Sequence, residues 1–399
     1  MKRLFALLLA LILFTSVGCM NAHSLDRYGY VLAIGFDEGE TMPLRITLML
    51  QNTMSEGTDS QTNSGFTLVT AECRGLFEAI ETLSASLPFQ LDLARTAFIV
   101  VSATLAQRDG GVPELLNMSL SRLHIRYNAN LFISVDDAHD VLSGLSNKLD
   151  PSLSKMQVNF GEYANMTGLI PMTNITTLFE TMLPKSTYDA VIPLCGVTPE
   201  ETGKPLLGDS VGGSEYAYIG GSLLVKSSMK TGLAGAAVLR DGRMAGFIDG
   251  QRVQLLLMAL GEFTYGRMHL PLSNGTTLSV QLHAREKPAT AFRIANGAHA
   301  QMTIPLVAYI ESPERLSGVD EDALVRLLED ELARKTHELF LGCQRLGADT
   351  FAFGRRAVRC FHSVSAWEAY DWEAAYRTMD ASFSFLVEFV QDPGKSALE

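Results

Sequence analysis

Tyr30-Val31-Leu32-Ala33-Ile34-Gly35-Phe36-Asp37 is an unbroken apolar run closed by one acid, and it reads as a buried strand. Gly39 and Glu40 suit a turn, and Leu44 to Leu50 return as a second strand. Residues 53–65 are rich in Ser, Thr, Asn and Gly, the composition of an exposed loop. Leu76, Ile80, Leu83 and Leu87 recur on one face of a helix that Pro88 stops. Ala97-Phe98-Ile99-Val100-Val101 predicts a strand, and residues 112–122 a helix with Pro113 tolerated in its first turn. Ala129, Leu131, Ile133 and Val135 alternate, so 128–135 is expected as a strand. Asp136 is placed to cap a helix running to about 146. Strands alternating with helices imply a mixed sheet covered by helices.

Further along, residues 150–175 mix polar, Gly and Pro positions, and a domain boundary is expected near 172. A short helix over 174–183 ends before Pro184, and 196–215 reads as a long exposed connection. Gly220–Val225, Ala234–Leu239 and Arg243–Ile248 predict strands, with Asp241-Gly242 as the hairpin turn joining the last two. Val253–Leu260 predicts a very apolar helix. A third segment begins near 271, with Asn274-Gly275 as a second hairpin turn and strands over 277–283, 290–295 and 301–310. The helix over 320–342 carries Leu324, Leu328, Leu332 and Leu339 on one face. It also carries the i,i+4 pairs Asp322–Arg326, Asp330–Arg334 and Glu331–Lys335, read as a solvated face. A last strand spans 382–390.

At the other end, Lys2 and Arg3 precede the apolar segment Leu4–Phe14, followed by Thr15-Ser16-Val17-Gly18-Cys19. That segment is shorter than the roughly 20 apolar residues a membrane-spanning helix needs, and its flanks are those of an export signal. Cys after Gly18 is similar to a bacterial lipobox, in which the thiol is acylated and becomes the new N-terminus. Ser16 stands where that pattern usually has Leu. An ordinary secretory signal with a coincidental Cys is the plainer alternative. The formal charge is −12, and removing residues 1–18 with Lys2 and Arg3 makes the chain still more acidic. Such a body will not hold nucleic acid or an anionic bilayer through bulk electrostatics, so membrane attachment is expected to come from lipid on Cys19. Cys73, Cys195, Cys343 and Cys360 are far apart and form no Cys-x-x-Cys motif. Buried free thiols are expected ahead of disulfides.

Catalytic patterns are sparse. The chain has no phosphate-cradling glycine loop and no Gly-x-Ser-x-Gly elbow. His337-Glu338 lacks the second His that a zinc-binding helix requires, because Leu341 occupies that position, so His337 reads as an ordinary helix residue. Ser152-x-x-Lys155 and Ser227-x-x-Lys230 match the Ser-x-x-Lys seed of penicillin-binding enzymes, a pattern short enough to arise by coincidence. Asp136-Asp137 is better explained by a helix start than by paired catalytic acids. Trp367, Tyr370, Trp372 and Tyr376 are expected as local core beneath the last strand, with a partner surface as the alternative. No catalytic residue, metal ligand or cofactor site is assigned.

Four pieces occur in a specific order: Cys19 with Leu25-Asp26 and Tyr30–Asp37; Leu76–Ile80 with Leu93–Val101; Ala234–Gly246; and Asp349-Thr350-Phe351-Ala352-Phe353-Gly354 with Trp372 downstream. In that order and spacing the chain resembles the Ger(x)C family, the C subunits of nutrient germinant receptors in endospore-forming bacteria. It departs from the family at Met20-Asn21, where Trp-Asp is usual, and across 150–215. The resemblance implies an α+β body of three domains, each a sheet packed with helices. Here these would be 19–172, 173–270 and 271–399, after a signal peptide over 1–18. It further implies a non-enzymatic lipoprotein on the outer face of the spore inner membrane, without cofactor, working with membrane subunits A and B. A solute-binding lipoprotein that captures nutrient itself is the main rival, and it would need a cleft between two similar lobes. A cell-wall hydrolase is a weaker one.

Overall fold

The computed structural model describes residues 28–51, 66–145, 153–182, 187–198, 211, 219–223, 231–271, 277–310 and 321–390. Its strands form two sheets. The first holds β1 (Tyr28–Glu38), β2 (Leu44–Gln51), β3 (Phe66–Cys73), β4 (Gln90–Asp92), β5 (Phe98–Ser102), β6 (Asn130–Ser134), β7 (Val191–Val197), β8 (Thr231–Arg240) and β9 (Arg243–Ile248). Their order is β3-β2-β1-β5-β6-β7-β8-β9, with the short β4 also paired to β1. The centre, β1-β5-β6-β7, is parallel, and the flanking pairs are antiparallel.

Helices cover both faces of that centre, which is why its strands are continuously apolar. Successive side chains point to opposite faces. Ile99, Val101, Leu131 and Ile133 therefore share a core with α1 (Leu76–Ser86), α2 (Ala103–Ala106), α3 (Gly111–Leu123) and α6 (Ile175–Met182). Phe98, Val100 and Phe132 pack on the other side against α4 (Ala138–Gly144) and α5 (Leu153–Thr167), through Val141, Leu142, Phe160 and Ala164.

The second sheet contains β10 (Tyr265–Pro271), β11 (Thr277–Ala284), β12 (Ala289–Ile294), β13 (Ala298–Ile310) and β14 (Asp380–Phe389). β14 lies parallel to β13, a geometry that requires a crossover. The long helix α8 (Glu321–Leu346) supplies it, setting Leu324, Leu328, Leu332 and Leu339 against the buried face of the sheet. Between the sheets runs α7 (Gly250–Leu260). Val253 and the unbroken stretch Leu255–Ala259 are buried in it, and so is Gln254, whose amide donates to Thr167 O at 2.6 Å. The helix joins Ala236, Val238 and Ile248 of the first sheet to Ile304 and Leu306 of the second in one core. Three short helices, α9 (Gly354–Ala357), α10 (Val364–Glu368) and α11 (Trp372–Arg377), precede β14.

Several expectations change. The expected boundary near 172 falls within the first sheet, because β6 and β7 pair across it, Ile133 with Leu194 and Ser134 with Cys195. The boundary at 270 cuts β10, which belongs to the second sheet. The described strands thus make two sheets where three were anticipated. Around Gly220 the described residues form a turn, with Gly221 in the left-handed region, instead of the start of a strand. Asp136 does not cap α4: its carboxylate accepts from Val197 N at 2.7 Å. Asp137 occupies the cap position but its carboxylate accepts from Arg45 at 2.6 Å instead of from the helix amides, and Asp37 at the end of β1 takes the free amides of Ala138 and His139 at 2.6 and 3.0 Å. The Asp241-Gly242 turn is as read, with φ of 51° and 78°. Asn274-Gly275, the 53–65 loop and most of the 196–215 connection lie outside the described residues.

Candidate functional site

The reactive-residue candidates do not assemble into a catalytic centre. Ser152, Ser227 and Lys230 lie outside the described residues, as does Cys19, while Lys155 falls in α5. Among the described residues no group of three His, Cys, Asp or Glu side chains could hold a metal ion, and no helix is long and apolar enough to cross a membrane. Cys73, Cys195, Cys343 and Cys360 are free thiols, the first three buried. Burial pushes the Cys195 and Cys343 thiols up to about 12, so neither forms the reactive thiolate near neutral pH. His337 serves a structural purpose. Its Nδ1 lies 3.0 Å from the carbonyl of Ala381 on β14.

The best-built polar locus forms where the Asp349–Gly354 motif meets the β8–β9 hairpin. Asp349 follows α8 and is 4 % exposed. Its carboxylate accepts from the amides of Phe353 at 3.0 Å and Gly354 at 2.7 Å, and from the Trp372 side chain. This fixes the start of α9. Asp189, just before β7, reaches across from the first sheet: its carboxylate accepts from Asp349 N at 2.8 Å and Asp241 N at 3.4 Å. Asp189 N in turn donates to Asp349 O at 3.1 Å. Gly354 is required by space, since a Cβ there would collide with Thr187 O and sit 2.7 Å from Trp372 Nε1. Arg240 of the hairpin donates to Leu346 O at 3.4 Å and pairs with Glu373 of α11.

Electrostatics at this locus is set by burial. Desolvation raises Asp349 to about 7 despite the donors that oppose the shift, and the nearby Asp189 charge adds to the rise. Asp189 is raised for the same leading reason. Behind the pair stands an aromatic wall. Phe340 meets Phe351, Phe353 and Tyr376 edge-on at 5.8, 5.8 and 6.0 Å. Trp372 lies 6.2 Å from both Phe292 and Trp367. Tyr376, 2 % exposed, donates its hydroxyl to Ala348 O at 3.0 Å. The tryptophan–tyrosine cluster is therefore core at Trp367 and Tyr376, while the half-buried Trp372 bonds Asp349 and packs against Phe292 and Tyr376.

Two family models match the chain: the N-terminal domain of spore germination proteins over residues 21–197, and the C-terminal domain described as spore germination B3/GerAC-like over 234–390. Together they span most of the sequence. This chain belongs to the Ger(x)C family of spore germination proteins. The α+β fold agrees. A solved structure titled as that of the GerBC protein superposes with a TM-score of 0.50 at 15 % identity, covering 89 % of this chain and 96 % of that one. No curated protein matches. The two family regions end at β7 and begin in β8, neighbouring strands of one sheet. Two of the four pieces that carried the resemblance, the hairpin and the Asp349–Gly354 motif, meet at this locus. Asp189 had no sequence signal of its own, because a lone Asp before a strand is common.

Proposed function

We propose that this Ger(x)C protein is the lipid-anchored, non-catalytic C subunit of a nutrient germinant receptor, held by acylated Cys19 to the outer face of the spore inner membrane beside membrane subunits A and B. The reading is carried by the two family matches, over residues 21–197 and 234–390, the first beginning two residues after Cys19. Tethering raises the effective concentration of the body beside its partners, so a modest contact area suffices for assembly. The body would then position the membrane subunits and pass nutrient sensing towards ion release. Cys19→Ala should move most of the protein from the membrane to the soluble fraction of disrupted spores and abolish its labelling by fatty acid. A variant that still fractionates with membranes and still takes up label would overturn the anchor. The solute-binding alternative gains no support from the fold, since the two sheets differ in strand number and order and are not like lobes.

A further inference from the structure

The chain carries 44 acids against 32 bases, yet no acid falls between Asp349 and Glu368. That stretch holds Arg355, Arg356, Arg359 and His362. Arg355 is engaged: it lies over the Tyr188 ring at 3.7 Å and 3.9 Å from Glu180 of α6. Arg356 and Arg359 have no carboxylate partner among the described residues. Burial, and then the neighbouring Arg359, push the Arg356 guanidinium below its ordinary value, and arginine remains charged in proteins all the same. From Arg359 to Ala366 every residue except Phe361 is exposed. Val364, at 69 %, is the most exposed large apolar side chain among the described residues. The segment is nonetheless firmly placed. Phe361 packs on Trp367 at 5.5 Å and on Tyr370 at 5.0 Å, and Ser363 Oγ accepts from Ala366 N at 3.1 Å to cap α10. An acidic body thus presents one ordered loop that is basic and partly apolar.

We propose that the loop from Arg356 to Val364 is a membrane contact that seats on anionic phospholipid headgroups, with Arg356 and Arg359 on phosphate oxygens and Val364 at the acyl boundary. The forked guanidinium donors match phosphate, and here no carboxylate competes for them. Basic residues beside exposed apolar ones favour the bilayer interface. A protein partner fits less well, because a stable protein interface needs about 1,000 Å² or more and this is one short segment. The formal charge of −12 still repels an anionic bilayer from the body as a whole. The loop therefore acts only on a body already held close, and that proximity rests on the lipid-anchored reading. Its effect would be orientation, with the α9–α10 edge of the C-terminal body turned to the membrane.

The test supplies the tether separately, so that failure of the anchor and failure of the loop are distinguishable. The full Cys19→Ala chain, with a histidine tag at its N-terminus, is held on vesicles by a nickel-chelating lipid. The vesicles are phosphatidylcholine, alone or with roughly a third phosphatidylglycerol. Trp367 lies beside Phe361 and 6.2 Å from Trp372, the other tryptophan of the chain, so a headgroup spin label should quench their emission when the loop seats. Quenching should be stronger on the anionic vesicles. Each arginine contributes about fivefold to the seated-to-free ratio, so Arg356→Gln/Arg359→Gln should lower it about twenty-five-fold. Arg74→Gln/Arg108→Gln, an equal change of net charge in the N-terminal family region, should leave it. Should Arg356→Gln disturb folding, the exposed Arg359→Gln alone should lower it about fivefold. Equal quenching on both vesicles, a preference that survives the double variant, or one that the Arg74/Arg108 variant also abolishes would overturn the proposal. Displacement of the loop from anionic vesicles by polyglutamate at matched charge would assign it to an acidic protein and overturn it as well.

Discussion

Asp37 ends the apolar run of β1, and its chemistry is tertiary. It is fully buried, yet its carboxylate caps α4, more than a hundred residues later in the chain, and lies 3.5 Å from Arg45. Sequence reasoning gave the cap to Asp136 because caps are local in most helices. Here the parallel sheet brings the end of β1 under the start of α4. Asp37→Ala leaves two amides without an acceptor and should destabilise the fold by about 2–3 kcal/mol, read as a lower urea midpoint at unchanged slope. A loss under about 0.5 kcal/mol, the range of ordinary surface changes, would show that water replaces the carboxylate.

At the scale of elements, α8 does more than cross from β13 to β14. Glu329 accepts from Val387 N at 2.8 Å, and His337 meets Ala381 O at 3.0 Å, so the helix satisfies backbone groups of β14. Unpaired edge groups template association with other chains, and covering them is a recurrent protection. The helix itself was plain in the sequence from its leucine spacing. The role of His337 was not, because the sequence does not say which strand lies beneath it. The salt bridges on the helix also shifted: Glu331–Lys335 forms at 3.3 Å, while Arg334 turns to Glu331 and Glu338 at 2.6 and 2.5 Å. The double variant Glu329→Ala/His337→Ala should keep its helix content but self-associate at concentrations where the wild type does not. Light scattering at matched concentration checks this, and identical profiles would show that the edge needs no such cover.

For the whole molecule, the shared core is decisive. Strands of both family regions pair in the first sheet, and the buried side chains of α7 share one core with both sheets. Two bodies joined in this way should unfold together. Tryptophan emission reports the C-terminal body, while far-ultraviolet circular dichroism averages over both, and the two urea transitions should coincide. Separate midpoints would mean that the sheets are independent domains, closer to the division first read at residues 172 and 270. A fragment ending after β7 should be insoluble, because it would expose the edge and the apolar face that β8 covers.

The sequence by itself determined the elements with strong periodicity: the β1 run, the parallel strands β5 and β6, the leucine-faced α8 and the Asp241-Gly242 turn. These depend on side-chain spacing and local backbone preference, which neighbouring residues supply. It also carried the family, through short pieces in a fixed order. Only the tertiary structure decided that strands on either side of residue 172 share a sheet, that β3, β4, β7, β10 and α5 exist, and that Asp189 accepts from the Asp349 amide. Those outcomes depend on burial and on contacts between distant segments, and the free energy of a buried carboxylate or a paired strand is fixed by what folding brings against it.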